Sequence, residues 1–94
     1  MIYVIVKHKV KDFKKWKPLF EAHHVVRKAM GSHGGQVFQN LENPNDITII
    51  MKWDNIENAH KFMNLPDLKE TMEKAGVMEK PEVHFLDEVD MVEN

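Results

Sequence analysis

His23 and Arg27 stand four residues apart in a stretch whose other regularly spaced positions are large and apolar. At about 100° per residue the stretch reads as a helix with Phe13, Trp16, Leu19, Phe20, Val26 and Met30 along one stripe. His23 falls in the middle of that stripe and Arg27, the only arginine of the chain, one turn further on. Packing alone gives no reason to set an imidazole and a guanidinium among aromatics, because a buried charge is costly unless it is paired. Two roles fit the pair. In one, both belong to an otherwise apolar pocket, with His23 as acid/base or hydrogen-bond donor and Arg27 binding a carboxylate, enolate or oxyanion. In the other the pair is structural, His23 bonding a backbone carbonyl and Arg27 reaching out to a glutamate. Trp16, Phe20, Trp53, Phe62 and Phe85 would wall a pocket for a flat aromatic ligand, and would serve equally well as ordinary core.

Other reactive groups are sparse. His8 and His84 fall near the ends of the first and last strands, where they are expected as cross-strand neighbours. Two imidazoles begin a metal site, but no third ligand has suitable spacing, so no metal is expected and both read as solvated strand ends. His24 lies at the edge of the helical stripe, His33 in a glycine turn and His60 on a helix flank. The absence of cysteine excludes disulfides, thiolate metal sites and cysteine nucleophiles together. Ser32 is the one serine and has no triad pattern around it, which argues against acyl transfer. Gly34 and Gly35 lack the strand-to-helix setting of a phosphate loop, and no cofactor is expected.

The elements that position these groups follow from periodicity and punctuation. Residues 3–10 read as a strand, and Asp12 caps a helix over 13–30 that carries Pro18 about one turn inside. Gly31 ends the helix, and residues 32–35 read as a turn. Strands over 36–41 and 47–53 flank a turn at 43–46. Helices follow over 55–63 and from Pro66 to before Gly76, then a last strand over 82–89 and a loose tail. The order β-α-β-β-α-β is the α+β ferredoxin-like arrangement, an antiparallel four-stranded sheet with its helices on one face. The other face should be polar if it meets water. Yet Ile50 opposes Ile47, Ile49, Met51 and Trp53; Tyr3 and Ile5 oppose Val4 and Val6; Leu86 opposes Val83, Phe85 and Val89. Two dry faces with helix enough for one predict a homodimer through the sheet faces.

Ninety-four residues make one domain, 1–94, too small to bury much surface alone. A net charge of −2 with basic residues spread along the chain gives no stripe for nucleic acid. No apolar run approaches the roughly 20 residues of a membrane span, and no signal-peptide pattern is visible, so a cytoplasmic protein is expected.

Several segments carry a family resemblance: Asp12-Phe13-Lys14-Lys15-Trp16, Phe20-Glu21-Ala22-His23, Gly34-Gly35 before the hairpin, and Asn43-Pro44-Asn45 followed by an apolar strand to Trp53-Asp54. Ala75-Gly76-Val77 with Pro81-Glu82-Val83-His84-Phe85-Leu86 completes the set. Together they resemble the small dimeric α/β-barrel proteins of the antibiotic-biosynthesis monooxygenase (ABM) superfamily, in its uncharacterised branch, over nearly the whole chain. The resemblance implies a homodimer with a ligand pocket between helices and sheet in each subunit. It implies a small-molecule-binding protein and a cofactor-independent monooxygenase-like activity on an aromatic or quinone-like compound. The alternative is a non-enzymatic ligand-binding or stress-related module. The Asn, Trp and His set of the haem-degrading relatives does not map cleanly onto this chain.

Overall fold

The computed structural model describes residues 2–78 and 80–94. Four strands, β1 (Ile2–Lys9), β2 (Ser32–Gln39), β3 (Asp46–Trp53) and β4 (Glu82–Asp87), form one sheet in the order β2-β3-β1-β4. Every neighbouring pair is antiparallel. Between β1 and β2 run α1 (Phe13–Ala22) and α2 (His24–Ala29); between β3 and β4 run α3 (Ile56–Met63) and α4 (Pro66–Lys74). The expected ferredoxin-like α+β order is the one observed.

Local chemistry sets the helix starts. Asp12 accepts a hydrogen bond from the Lys14 N–H at 2.9 Å, and Asn55 accepts one from Asn58 at 2.8 Å, each satisfying a first-turn donor. Pro66 opens α4, where its missing N–H costs nothing. Asn45, in the β2–β3 hairpin, accepts from the Phe13 N–H at 2.9 Å and donates to the Lys11 carbonyl at 3.3 Å. This clip ties the start of α1 to the hairpin and fixes where Trp16 enters the core.

Period-two alternation sorts the sheet. Val4, Val6 and His8 of β1 and Ile47, Ile49 and Trp53 of β3 are buried on the face that carries the helices. Val6 stands opposite both Ile49 and Val83, and Val4 opposite both Met51 and Phe85. Each such side chain, fully buried, contributes about 1.5–3 kcal/mol relative to exposure. Tyr3, Ile5, Ile50 and Leu86 point to the opposite face, which carries no helix among the described residues.

Several expected element boundaries are corrected. The helix over residues 13–30 is two helices joined at His23. The cause lies at the last carbonyls of α1: Arg27 Nη1 donates to the Phe20 carbonyl at 2.8 Å, and His24 Nδ1 bonds the Glu21 carbonyl at 3.0 Å. Side chains thus take carbonyls that a continuing helix would give to backbone N–H groups, and the His23 N–H closes a tighter turn onto Phe20 at 3.2 Å. Residues 32–35 are not a plain turn but the bulged start of β2. Ser32 pairs with Trp53 and Gly35 with Met51, leaving one extra residue in β2, with Gly34 at φ +86°. The last strand ends at Asp87, and Val89 lies beyond it, exposed.

His8 and His84 are not neighbours. His8 pairs with Ile47, His84 with Ile5, and the parity of β1 puts the two imidazoles on opposite faces. His84 instead pairs with Glu82 at 2.8 Å on the surface. Among the described residues no three His, Asp or Glu side chains gather as a metal-holding group. No helix of the described residues is long and apolar enough to cross a membrane.

Candidate functional site

A cavity of about 90 Å³ lies between the helices and the sheet. Its floor is β1 and β3, through Val4, Val6, Ile49 and Trp53; its roof is Trp16 and Phe20 of α1 and Phe62 of α3, with Met72 of α4 at one side. Trp16 stacks on Phe20 with ring centroids 4.8 Å apart, and Trp53 packs on Phe62 at 5.2 Å. Four aromatic rings thus share the walls with aliphatic and methionine side chains. The polar side chains in the lining are His8, His23, Arg27 and Thr71.

The residues singled out from sequence distribute as follows. His23, Arg27, Trp16, Phe20, Trp53 and Phe62 all line this one cavity. Phe85 does not; it sits against His60, ring centroids 4.2 Å apart, in an open groove of about 930 Å³ between α4 and β4. Met63, Leu68 and Met72 line both spaces and form the partition between them.

Arg27 is buried, 9% exposed, with its guanidinium carbon 4.0 Å from the Phe20 ring centroid. One of its five N–H donors is spent on the Phe20 carbonyl. Neither of the two roles offered by the sequence describes it fully: its fixed partner is a backbone carbonyl and an aromatic face, not a glutamate. Burial pulls its pKa below the ordinary value, yet a guanidinium stays charged throughout the range in which proteins fold. Arg27→Met should cost about 1–3 kcal/mol in urea melts, because it removes a charge-assisted hydrogen bond to the Phe20 carbonyl, leaving it only the His23 N–H, and removes the cation–π contact. His23, at the junction of α1 and α2, is half-buried and makes no side-chain hydrogen bond among the described residues.

His8 is the member of the lining that spacing of site residues did not select. It is 7% exposed, beneath Trp16 in an edge-to-face contact with centroids 5.5 Å apart. Desolvation holds its pKa below the ordinary 6.5. The unfolded chain therefore takes up a proton, as pH falls below about 6.5, that the folded chain resists. Stability should decline with acidification from that point down to the folded-state value. His8→Leu should remove this part of the pH dependence and stabilise the fold by about 1–3 kcal/mol, read from melts at pH 7.5 and 5.5.

No family model matches the chain, and no curated protein matches it. Solved structures do. A protein from Bordetella bronchiseptica provisionally assigned as an antibiotic biosynthesis monooxygenase superposes with a TM-score of 0.77 at 20% identity, covering 94% of this chain and 96% of that one. SnoaB, a cofactor-independent oxygenase from Streptomyces nogalater, superposes with a TM-score of 0.78 at 9% identity, covering 99% and 97%. An antibiotic biosynthesis monooxygenase structure gives 0.72 at 15% identity over 96% and 100%. At such identities the shared property is the backbone arrangement, and it extends over essentially the full length of each partner. The chain adopts the ferredoxin-like α+β fold of the antibiotic biosynthesis monooxygenase structures.

Proposed function

We propose that the chain is a small-molecule-binding homodimer that oxidises a small phenolic or quinone-like compound with dioxygen and without a bound cofactor. The observation that carries this is the cavity, whose lining holds Trp16, Phe20, Trp53 and Phe62 together with His23 and Arg27. SnoaB, whose backbone this chain shares, is a cofactor-independent oxygenase. The electron balance needs no external reductant: a phenol gives four electrons to one dioxygen, one oxygen atom entering the ring to give a quinone and the other leaving as water with the hydroxyl hydrogen and the displaced ring hydrogen. Arg27, with N–H donors left over, would steady a phenolate or peroxide oxygen, and His23 would move the proton.

A second reading has its own observation. A volume of about 90 Å³ is well below the roughly 300–1,000 Å³ of ordinary ligand sites. Such a cavity suits a binding module for one ring, with no turnover. Oxygen uptake measured with a panel of phenols and hydroquinones, with chelator present, separates the two. An oxygenase consumes one dioxygen per ring oxidised and loses that activity in His23→Leu; a binding module saturates with ligand while uptake stays at the buffer rate.

The homodimer would pair the outer sheet faces, where Tyr3, Ile5, Ile50 and Leu86 lie without a helix over them. Light scattering at micromolar concentration should report about twice 11.1 kDa. A monodisperse single chain contradicts that assembly.

A further inference from the structure

Among the described residues the buried side-chain nitrogens and oxygens without a hydrogen-bond partner are two, and both belong to His8. Buried polar atoms are nearly always partnered, so an imidazole with neither nitrogen satisfied calls for an explanation. The neighbouring strands offer it no partner: β3 pairs with His8 backbone to backbone, β4 pairs with β1 only as far as Lys7, and past that point the Lys9 carbonyl accepts from the Met78 N–H at 2.9 Å. A second copy on the outer face cannot reach it either, since His8 shares the helix-covered face with Val4 and Val6. Trp16 offers an imidazole N–H at most an aromatic face, a weak substitute for oxygen. What remains beside the ring is the cavity that His8 lines with Trp16, His23 and Arg27.

We propose that His8 is the hydrogen-bonding anchor of this cavity, and that its ligand is a single aromatic ring carrying a hydroxyl group. The proposal rests on the small-molecule reading above and names the ligand class and a further binding residue. Burial disfavours the imidazolium, so the ring is neutral, with one nitrogen free to accept an O–H and the other an N–H donor. The aromatic walls supply contact area but no direction, and His8 supplies the direction. A cavity of about 90 Å³ admits one ring at most without movement of its walls. A carboxylate, by contrast, would be drawn to Arg27 and would leave His8 unsatisfied.

Phenol and toluene, nearly equal in size, are the probes, titrated into the whole protein at pH 7.5 by calorimetry. Transfer from water favours toluene, so a preference for phenol has to come from the site. The parent protein should prefer phenol by about tenfold, the worth of one well-made buried hydrogen bond. His8→Leu should abolish the preference and His8→Gln, which keeps an acceptor, should restore part of it. Should His8→Leu fail to fold, the ring nitrogen signals of His8 decide the matter in the parent by NMR: a saturable shift with phenol and none with toluene supports the anchor, and no shift overturns it. Equal binding of both probes to the parent, or an undiminished preference in His8→Leu, also overturns it while leaving the cavity as a ligand site. Binding of neither probe overturns the anchor and the small-molecule reading together.

Discussion

Gly35→Ala should unfold or nearly unfold the protein, lowering stability by about 4 kcal/mol or more, which for a chain of this size is a fall in Tm of about 15–30 °C. A Cβ on Gly35 would lie 1.8 Å from the Ile50 carbonyl oxygen and 2.8 Å from the Met51 Cα. Both are backbone atoms of the neighbouring strand, so no side-chain rotation relieves the clash and β2 must peel away from β3. Its neighbour supplies the control. Gly34 has φ +86° but nothing within 4 Å of an added Cβ. Gly34→Ala should therefore cost only the left-handed backbone strain, about 1–2 kcal/mol. Thermal melts of the two variants make the comparison; similar losses in both would mean that the close approach of β2 to Ile50 is not what the bulge protects.

Ile49→Lys and Ile50→Lys should fail in different ways although the residues are adjacent. Ile49 is 5% exposed and faces the helices between Val6 and Val37. An ammonium there has no partner, and leaving a buried charge unpaired costs about 3–5 kcal/mol, so this variant should lose its cooperative fold. Ile50 points to the outer face beside Ile5 and Gln36. Lysine at that position can reach solvent in a single chain, but two copies brought together would confront each other's charges. Ile50→Lys should keep its circular dichroism spectrum and halve its mass in light scattering. A stable interface of about 1,200–2,000 Å² requires most of this sheet face, so an Ile50→Lys variant that stays dimeric would place the contact elsewhere.

The order of the elements, β1, β3 and two of the helix starts were legible because each rests on local chemistry: alternation in β1 and β3, Asp12 as a cap, Pro66 at a first turn. The helical stripe also placed Trp16, Phe20, His23 and Arg27 on one side. The break at His23 was not legible, because it depends on where Arg27 and His24 send their side chains, which is a tertiary choice. Phe85 shares the core-facing parity of Val83, but parity fixes only the face and not which of two neighbouring spaces on that face a ring fills. His8 was legible in principle. It continues the even-numbered series Val4, Val6, His8, Val10, whereas the inward residues of β4 are odd, Val83 and Phe85, so His84 faces outward. Pairing by strand ends obscured this; counting parity on both strands separates the two histidines and sends His8 inward.

The protein has two tryptophans, Trp16 and Trp53, and both line the cavity. Excited at the red edge, where Tyr3 does not absorb, intrinsic fluorescence is therefore a report on that space. Titration with hydroquinones and small quinones at pH 7.5 should quench both tryptophans along a saturable curve, reaching a plateau at one ligand per chain. Quenching that rises linearly with concentration for every compound, as collision in solution gives, would contradict the claim that the space between helices and sheet is a small-molecule site.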